Sequence, residues 1–275
     1  MRDNHVWHEV PMTHPEETAV EAHWNANADQ WAQDIRAGHD RYRDLFTLPA
    51  FLDFVPPLAG LRVAEFGCGE GTNTRRFARL DAKMTGIDLS RNMLAHAIAD
   101  EANEPLGIRY HEASFSGDCG LPAASFDAIL STMALMDGPD FAGAMREAYR
   151  LLMPGGFLAF SLLHPCFITP NLRWMKNEAG ETVALGAAGY FRTDSFVETW
   201  KFGDNPNKDD VLPFAVPRFP RTLSDIINAV LAAGFLLRRM DEPQPSEEVC
   251  EAAPRFRRWR DLAAFLLLVD AQKPA

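Results

Sequence analysis

The chain has 275 residues, 47% of them hydrophobic and 24% charged, enough for one large core or a core with a cap. Its 27 Lys and Arg face 38 Asp and Glu, a net charge of -11. That balance disfavours nucleic acid as a partner, because binding it rests on cationic contacts to phosphate. Cys68, Cys119, Cys166 and Cys250 lie far apart and form no C-x-x-C, so neither a metal site nor a disulfide framework is expected. Arg2, Asp3, His5 and His8 would interrupt a secretory leader, and apolar runs such as residues 262–269 are too short to span a bilayer. The expectation is a cytoplasmic protein without a membrane partner.

Residues 1–15, rich in His and polar side chains, read as a loose arm. Residues 16–35 read as a helix, with Ala22, Trp24, Ala28, Trp31, Ala32 and Ile35 forming an approximate apolar face. Residues 38–44 form a polar joint with Asp40, Arg41, Tyr42 and Arg43, and residues 48–55 a short helix stopped by Pro56-Pro57. Residues 1–57 are thus an arm and helical lid. Leu61, Val63, Ala64 and Phe66 are the run of a strand buried on both faces. Helix 72–80, strand 83–87, helix 91–101, a strand from 107, strand 125–131, helix 141–152 and strand 157–163 follow, with the Pro154-Gly155-Gly156 turn before the last. Such alternation predicts an α/β, doubly wound, largely parallel sheet with helices on both faces, the core being residues 58–164.

Residues 165–221 do not belong to that minimal pattern. The segment is rich in aromatics, including Phe167, Trp174, Tyr190, Trp200 and Phe214, and its charges balance, so an ordered cap is expected rather than a linker. Strands are expected near residues 191–200 and 214–219. Residues 222–275 return to the core with helix 223–233, ended by Gly234, and strands 235–240 and 262–271. The basic stretch Arg255-Phe256-Arg257-Arg258-Trp259-Arg260 falls between those strands and reads as a solvated hairpin away from the ligand mouth.

The most telling residues are Val63-Ala64-Glu65-Phe66-Gly67-Cys68-Gly69-Glu70-Gly71, with Asp88 at the end of the next strand. Three glycines let the backbone approach a ligand closely, and a carboxylate at Asp88 suits a ribose diol. Dinucleotide sites use G-x-G-x-x-G. Here the spacing is G-x-G-x-G, and Glu65 precedes it. A carboxylate there suits a sulfonium carrying an ammonium better than a pyrophosphate. The stretch E-F-G-C-G-E-G-T resembles the first motif of class I S-adenosylmethionine-dependent methyltransferases. Ser125-Phe126-Asp127-Ala128-Ile129 and Met153-Pro154-Gly155-Gly156 resemble two further motifs of that family, over residues 60–165 and more loosely from 222 onward.

The resemblance implies a Rossmann-like seven-stranded sheet, mostly parallel with the last strand antiparallel, and S-adenosyl-L-methionine as cofactor. It implies that Glu65, Gly67, Cys68 and Gly69 line the amino-acid end and ribose side, and that Asp88 takes the ribose hydroxyls. Leu89 and Met93 would flank the adenine, with Ala113, Ser114 and Phe115 near its edge. Either Glu112 or Ser114 would meet the adenine amine. Ser131, Thr132 and Met133 would approach the methionine portion. The stretch from Ala22 to Trp31 resembles an aromatic N-terminal segment that folds over the cofactor in many relatives. Trp31, Tyr42 and Arg43 are lid candidates, with a helix packing face for Trp31 and solvated surface for Arg43 as the alternative.

The reaction expected is methyl transfer to an oxygen or nitrogen of a small molecule, with an aromatic acceptor among the options. Methyl transfer needs position and desolvation first, and a base only for some acceptors. His164, at the exit of the fifth strand, is the catalytic candidate, either as that base or as a residue that orders the turn. An RNA or protein methyltransferase, a nicotinamide-dependent oxidoreductase and a non-catalytic binder stay open as alternatives. So does a homodimer.

Overall fold

A computed structural model of the chain describes residues 10–11 and 17–275. The rest of the expected arm lies outside the described residues. Its strand β1 (Val10–Pro11) pairs with the cap, and α1 (Glu17–Arg36) matches the expected helix to within a residue at each end. The expected polar joint is partly helical: Arg43–Thr47 form a π turn, Leu48 N–H bonding back to the Arg43 carbonyl, and run directly into α2 (Leu48–Phe54).

The core then alternates as anticipated: β2 (Arg62–Phe66), α3 (Thr72–Ala78), β3 (Lys83–Asp88), α4 (Arg91–Asn103), β4 (Arg109–Glu112), β5 (Phe126–Thr132), α5 (Phe141–Leu151) and β6 (Leu152–Leu163). Local chemistry fixes the helix starts. Ser90 accepts from Met93 N–H, and Asp140 from Gly143 N–H, so each satisfies an orphan donor of the first turn. β6 starts before Pro154-Gly155-Gly156 instead of after it. Gly155, at φ +80°, turns within the strand while its N–H bonds to the Lys273 carbonyl.

The cap contains hairpin β7 (Arg173–Lys176) and β8 (Thr182–Gly186), then β9 (Phe196–Trp200) and β10 (Phe214–Arg218), which pair antiparallel. The last pair matches the expected strands, the first starting five residues late. The hairpin has no signature in the sequence because it is largely solvated, with Trp174 the one partly buried residue of β7. The chain returns through α6 (Leu223–Ala232), β11 (Leu236–Asp241), α7 (Glu247–Ala252), α8 (Arg257–Asp261) and β12 (Leu266–Gln272). Thr222 and Asp225 form a capping box at the start of α6.

The seven-stranded sheet runs β11-β12-β6-β5-β2-β3-β4, with β12 antiparallel to both neighbours and β2 to β6 parallel. It separates two cores. Phe66 and Phe160 pack with Phe141 and Met145 of α5 on one face. Val63 and Leu130 pack with Phe51, Phe77 and Phe256 on the other. The lid and cap share a third, smaller core: Ile35 with Phe202, Phe214 and Val216, flanked by Trp24, Trp31 and Trp200. Asn27 of α1 ties them further, its amide donating to the Ala215 carbonyl and accepting from Ala215 N–H. Among the described residues no helix is long and apolar enough to cross a membrane.

The basic stretch departs from its expected form. Residues 255–260 are not a solvated hairpin but a 3-10 turn, Pro254–Phe256, and α8. Phe256 and Trp259 are buried, which leaves Arg255 and Arg258 directed along the surface they cover. The arginines mask the helical spacing of those two aromatics in the sequence.

Candidate active site

The C-terminal ends of β2, β3 and β5 open into one cavity of about 1650 Å³, roofed by α1 and the cap. Open α/β sheets bind ligands at this edge. Pockets for one small ligand run to roughly 300–1,000 Å³, so this space has room for more than one such ligand.

The glycine corner is its floor. Gly67 N–H and Cys68 N–H both bond the Ile87 carbonyl, pinning the loop to the end of β3. Gly67 has φ +69°, and a Cβ there would lie 2.3 Å from the Ala134 Cβ. Gly69, at φ +54°, faces open space, so backbone rather than side chain lines the cavity at that point. Asp88 is aimed by two amides: one carboxylate oxygen accepts from Gly69 N–H at 2.8 Å and the other from Ser90 N–H at 2.8 Å. Burial pushes its pKa up to about 6, against the pull of those two bonds.

The cavity wall includes Trp31, Gly67, Cys68, Gly69, Asp88, Leu89, Met93, Ser114, Phe115, Thr132 and Met133. Three of the expected cofactor-lining residues do not reach it. Ala113 uses its N–H on the Asp88 carbonyl, and Ser131 donates to the Phe66 carbonyl in the sheet interior. Glu65 is 0% exposed and stands behind the wall, accepting from Thr74 Oγ1 at 2.5 Å and Thr132 Oγ1 at 3.0 Å. Thr132 in turn accepts from Asn73 Nδ2, and the buried Asn73 Oδ1 has no partner. Glu112 is held outside by Arg91, which leaves Ser114 as the polar group on the wall; its hydroxyl meets Glu17.

His164 is placed differently from a base. It is 2% exposed and absent from the cavity wall. Its Nδ1 accepts from Cys166 N–H at 3.3 Å, so Nε2 carries the proton and donates to Glu242 at 2.6 Å. Burial lowers its pKa, and Glu242 opposes that shift.

Several wall residues have no local signal in the sequence, because their partners are remote. Glu70, between Gly69 and Gly71, accepts from Trp31 Nε1 at 3.1 Å and lies 3.9 Å from Arg43, so the lid clasps the corner. Arg218 of β10 is clamped between Asp137 and Glu198, and all three line the cavity. Burial raises the Asp137 pKa to about 6, while Arg218 pulls it down. Arg255, Arg258 and Trp259 also line the wall, which reverses the expectation that the basic stretch lies away from the mouth.

These residues fit S-adenosylmethionine. Asp88 presents its carboxylate beside an unobstructed Gly69 backbone, and Asn73 Oδ1 offers an unmatched acceptor to an ammonium group. Glu65 would back that end with charge. Burial raises its pKa to about 8, against its bonds to Thr74 and Thr132, and Glu70 and Asp88 add to the rise. Between about 4.5 and 8 the folded chain therefore holds a proton that the unfolded chain has lost, and this group lowers stability as pH rises. A bound cation favours the ionised form. S-adenosylhomocysteine should then bind more tightly from pH 6.5 to 8, by up to about tenfold per unit, releasing a proton. Calorimetry in two buffers of different ionisation enthalpy measures this. Glu65→Gln should flatten the profile, and equal profiles would disconnect Glu65 from the ligand.

Comparison with known proteins agrees with this corner. A family profile described as "Methyltransferase domain" matches residues 64–160. The crystal structure of an S-adenosylmethionine dependent methyltransferase from Mesorhizobium loti is 30% identical, with a TM-score of 0.66 over 82% of this chain and 96% of that one. An uncharacterized protein of Haemophilus influenzae is 28% identical over 222 residues, 78% of this chain and 83% of its own length. The ubiquinone biosynthesis O-methyltransferase of Ralstonia nicotianae is 34% identical over 119 residues. That match spans 42% of this chain and 50% of the enzyme.

Proposed function

Because the chain belongs to the S-adenosylmethionine-dependent methyltransferases, we propose that it methylates an oxygen or nitrogen of a small acceptor with a flat apolar part. The observation that carries this reading is the continuity of one cavity from the glycine corner to the aromatic cluster of the cap. A relative named as a ubiquinone biosynthesis O-methyltransferase supports transfer to an oxygen of a small molecule.

When bound, the cofactor supplies an activated methyl group, so the protein's task is position and water exclusion. Asp88 would hold the ribose hydroxyls, and Leu89 and Met93 would flank the base. Asn73 and Thr132, backed by Glu65, would hold the amino-acid end. Trp31 and Arg43 close over Glu70 and keep the corner shut to solvent. Met133, held at φ +56° with its N–H on Ser161, turns the chain at the end of β5 toward the acceptor space. Asp137 is the carboxylate beside that turn and is the group placed to take an acceptor proton.

His164 we assign to positioning, since one ring nitrogen is spent on Cys166 in the strand-to-cap turn and the other on Glu242 just after β11. His164→Ala should lower the melting temperature by several degrees, about 1–2 kcal/mol, and leave kcat within about threefold. A tenfold fall in kcat at unchanged melting temperature would return it to the chemistry.

Incubation with methyl-labelled cofactor and a metabolite extract tests the function. Label is expected in a low-mass product. Label confined to RNA or protein would overturn the small-acceptor reading.

A further inference from the structure

We infer that the cap end of the cavity is a subsite for an anionic group, a carboxylate or phosphate, borne by the acceptor and gripped by Arg258 between Trp174 and Trp259. The inference rests on the reading of this cavity as the acceptor site.

The first observation is charge matching. Arg255 is paired with Asp204, Arg218 with Asp137 and Glu198, and Arg43 with Asp44 and Glu70. Those pairs use the wall's carboxylates outside the glycine corner, apart from Glu17 beside Ser114 and Asp40, which accepts from Arg43 N–H. Arg258, Arg173 and Lys176 line the same cavity and have no carboxylate in salt-bridge range among the described residues. In a chain of net charge -11 with abundant carboxylates, three unmatched cations at one end of a pocket are a local arrangement, not an overall basic character.

The second observation is how Arg258 is held. Its guanidinium carbon lies 4.8 Å from the Trp174 ring centroid and 5.7 Å from that of Trp259. The two indoles meet edge to face at 4.7 Å. Trp259 is fixed by its Nε1 donating to Tyr42 Oη at 3.2 Å. Stacking on aromatic faces covers the guanidinium plane and leaves its N–H edge to bind a planar or tetrahedral anion. The one side-chain hydrogen bond Arg258 makes among the described residues, to Tyr42 Oη, is long at 3.5 Å.

The third observation is independent of charge. Arg258 Nε, Arg255 Nε and Trp200 Nε1 are buried donors with no acceptor, on three residues that line this cavity. Buried donors are almost always satisfied, and leaving one unmatched costs about 1–3 kcal/mol. A group rich in acceptor oxygens answers that demand, whereas a cationic or purely apolar one does not. Arg173 and Lys176, exposed on β7 at either side of Trp174, stand at the rim where they draw an anion inward.

The test uses protein saturated with S-adenosylhomocysteine and titrated with benzoate, phenyl phosphate and the neutral benzamide, followed by calorimetry. At least one of the anions should bind about tenfold or more tightly than benzamide, and the tighter of the two identifies carboxylate or phosphate. Arg258→Met, which keeps the stem's packing, should abolish that preference with S-adenosylhomocysteine affinity unchanged. Lys176→Met, at the exposed rim, should weaken the anion about threefold and serves if the first variant does not fold. Equal binding of anion and benzamide, no anion binding, a preference that survives in Arg258→Met, or one left undiminished in Lys176→Met would overturn the subsite. So would a matching fall in S-adenosylhomocysteine affinity on Arg258→Met, which would assign the arginine to the cofactor. Failure of the wild-type protein to bind S-adenosylhomocysteine would instead sink the cofactor assignment itself.

Discussion

Asp88→Ala should weaken S-adenosylhomocysteine binding by at least about a hundredfold. A ribose diol donating two bonds to a carboxylate gains about 1.5–3 kcal/mol from each, so losing both costs about 3–6 kcal/mol. The geometry makes the loss hard to repair. Gly69 N–H and Ser90 N–H hold the two carboxylate oxygens in place, and the adjoining backbone leaves no side chain able to take over. The same two amides would be stripped of their acceptor, so melting of the ligand-free protein should also fall. Asp88→Asn separates the effects. It retains an acceptor for one amide and should recover part of the melting temperature while binding stays at least about tenfold weak. Binding within threefold of wild type for Asp88→Ala would remove this residue from the ribose.

The second large effect is expected at Arg218. Its side chain sits between Asp137, on the loop after β5, and Glu198 of β9, so a single guanidinium joins cap to core. Asp137 and Glu198 are buried, and Arg218 is largely covered between them. Removing one partner of such a cluster leaves uncompensated buried charge and costs about 3–5 kcal/mol. For a chain of this size that is roughly 10 °C of melting temperature. Arg218→Met should show that loss at pH 8. The sign of its pH dependence follows from Asp137, whose folded pKa, about 6, already lies above its ordinary 3.8. With the guanidinium gone the carboxyl favours its neutral form still more, so stability should return as pH falls through 6 and below. Arg218→Met combined with Asp137→Asn and Glu198→Gln should regain most of the loss at pH 8, because no buried charge is then left unpaired. A single variant that melts like wild type would mean that the cap is held by its aromatic core alone.

These two sites also mark how far the sequence can be read. The corner from Glu65 to Asp88 is legible because its chemistry is local. Glycines, a buried apolar strand and a terminal acid fall within 24 consecutive positions, and the backbone does much of the work. Alternating strands and helices are legible for the same reason, since periodicity reports burial within one element. The cap is not. Asp137 and Arg218 are 81 positions apart, Trp31 and Glu70 are 39, and Asp204 and Arg255 are 51. No spacing rule links such pairs. The run Arg255 to Arg260 shows the cost most clearly. Its arginines look solvated, yet Phe256 and Trp259 insert into the core and carry Arg255 and Arg258 to the cavity wall. His164 is the converse. A histidine at the mouth of an α/β sheet invites a catalytic reading, and only the partners Cys166 and Glu242 reveal that its nitrogens are engaged.

The most direct measurement of the whole arrangement is a crystal structure with S-adenosylhomocysteine. The ribose is expected on Asp88, the amino-acid end beside Asn73 and Thr132, and the sulfur facing the space between Met133 and the cap. A ligand elsewhere, or a sulfur turned away from the cap, would contradict the placement of acceptor and cofactor in one cavity.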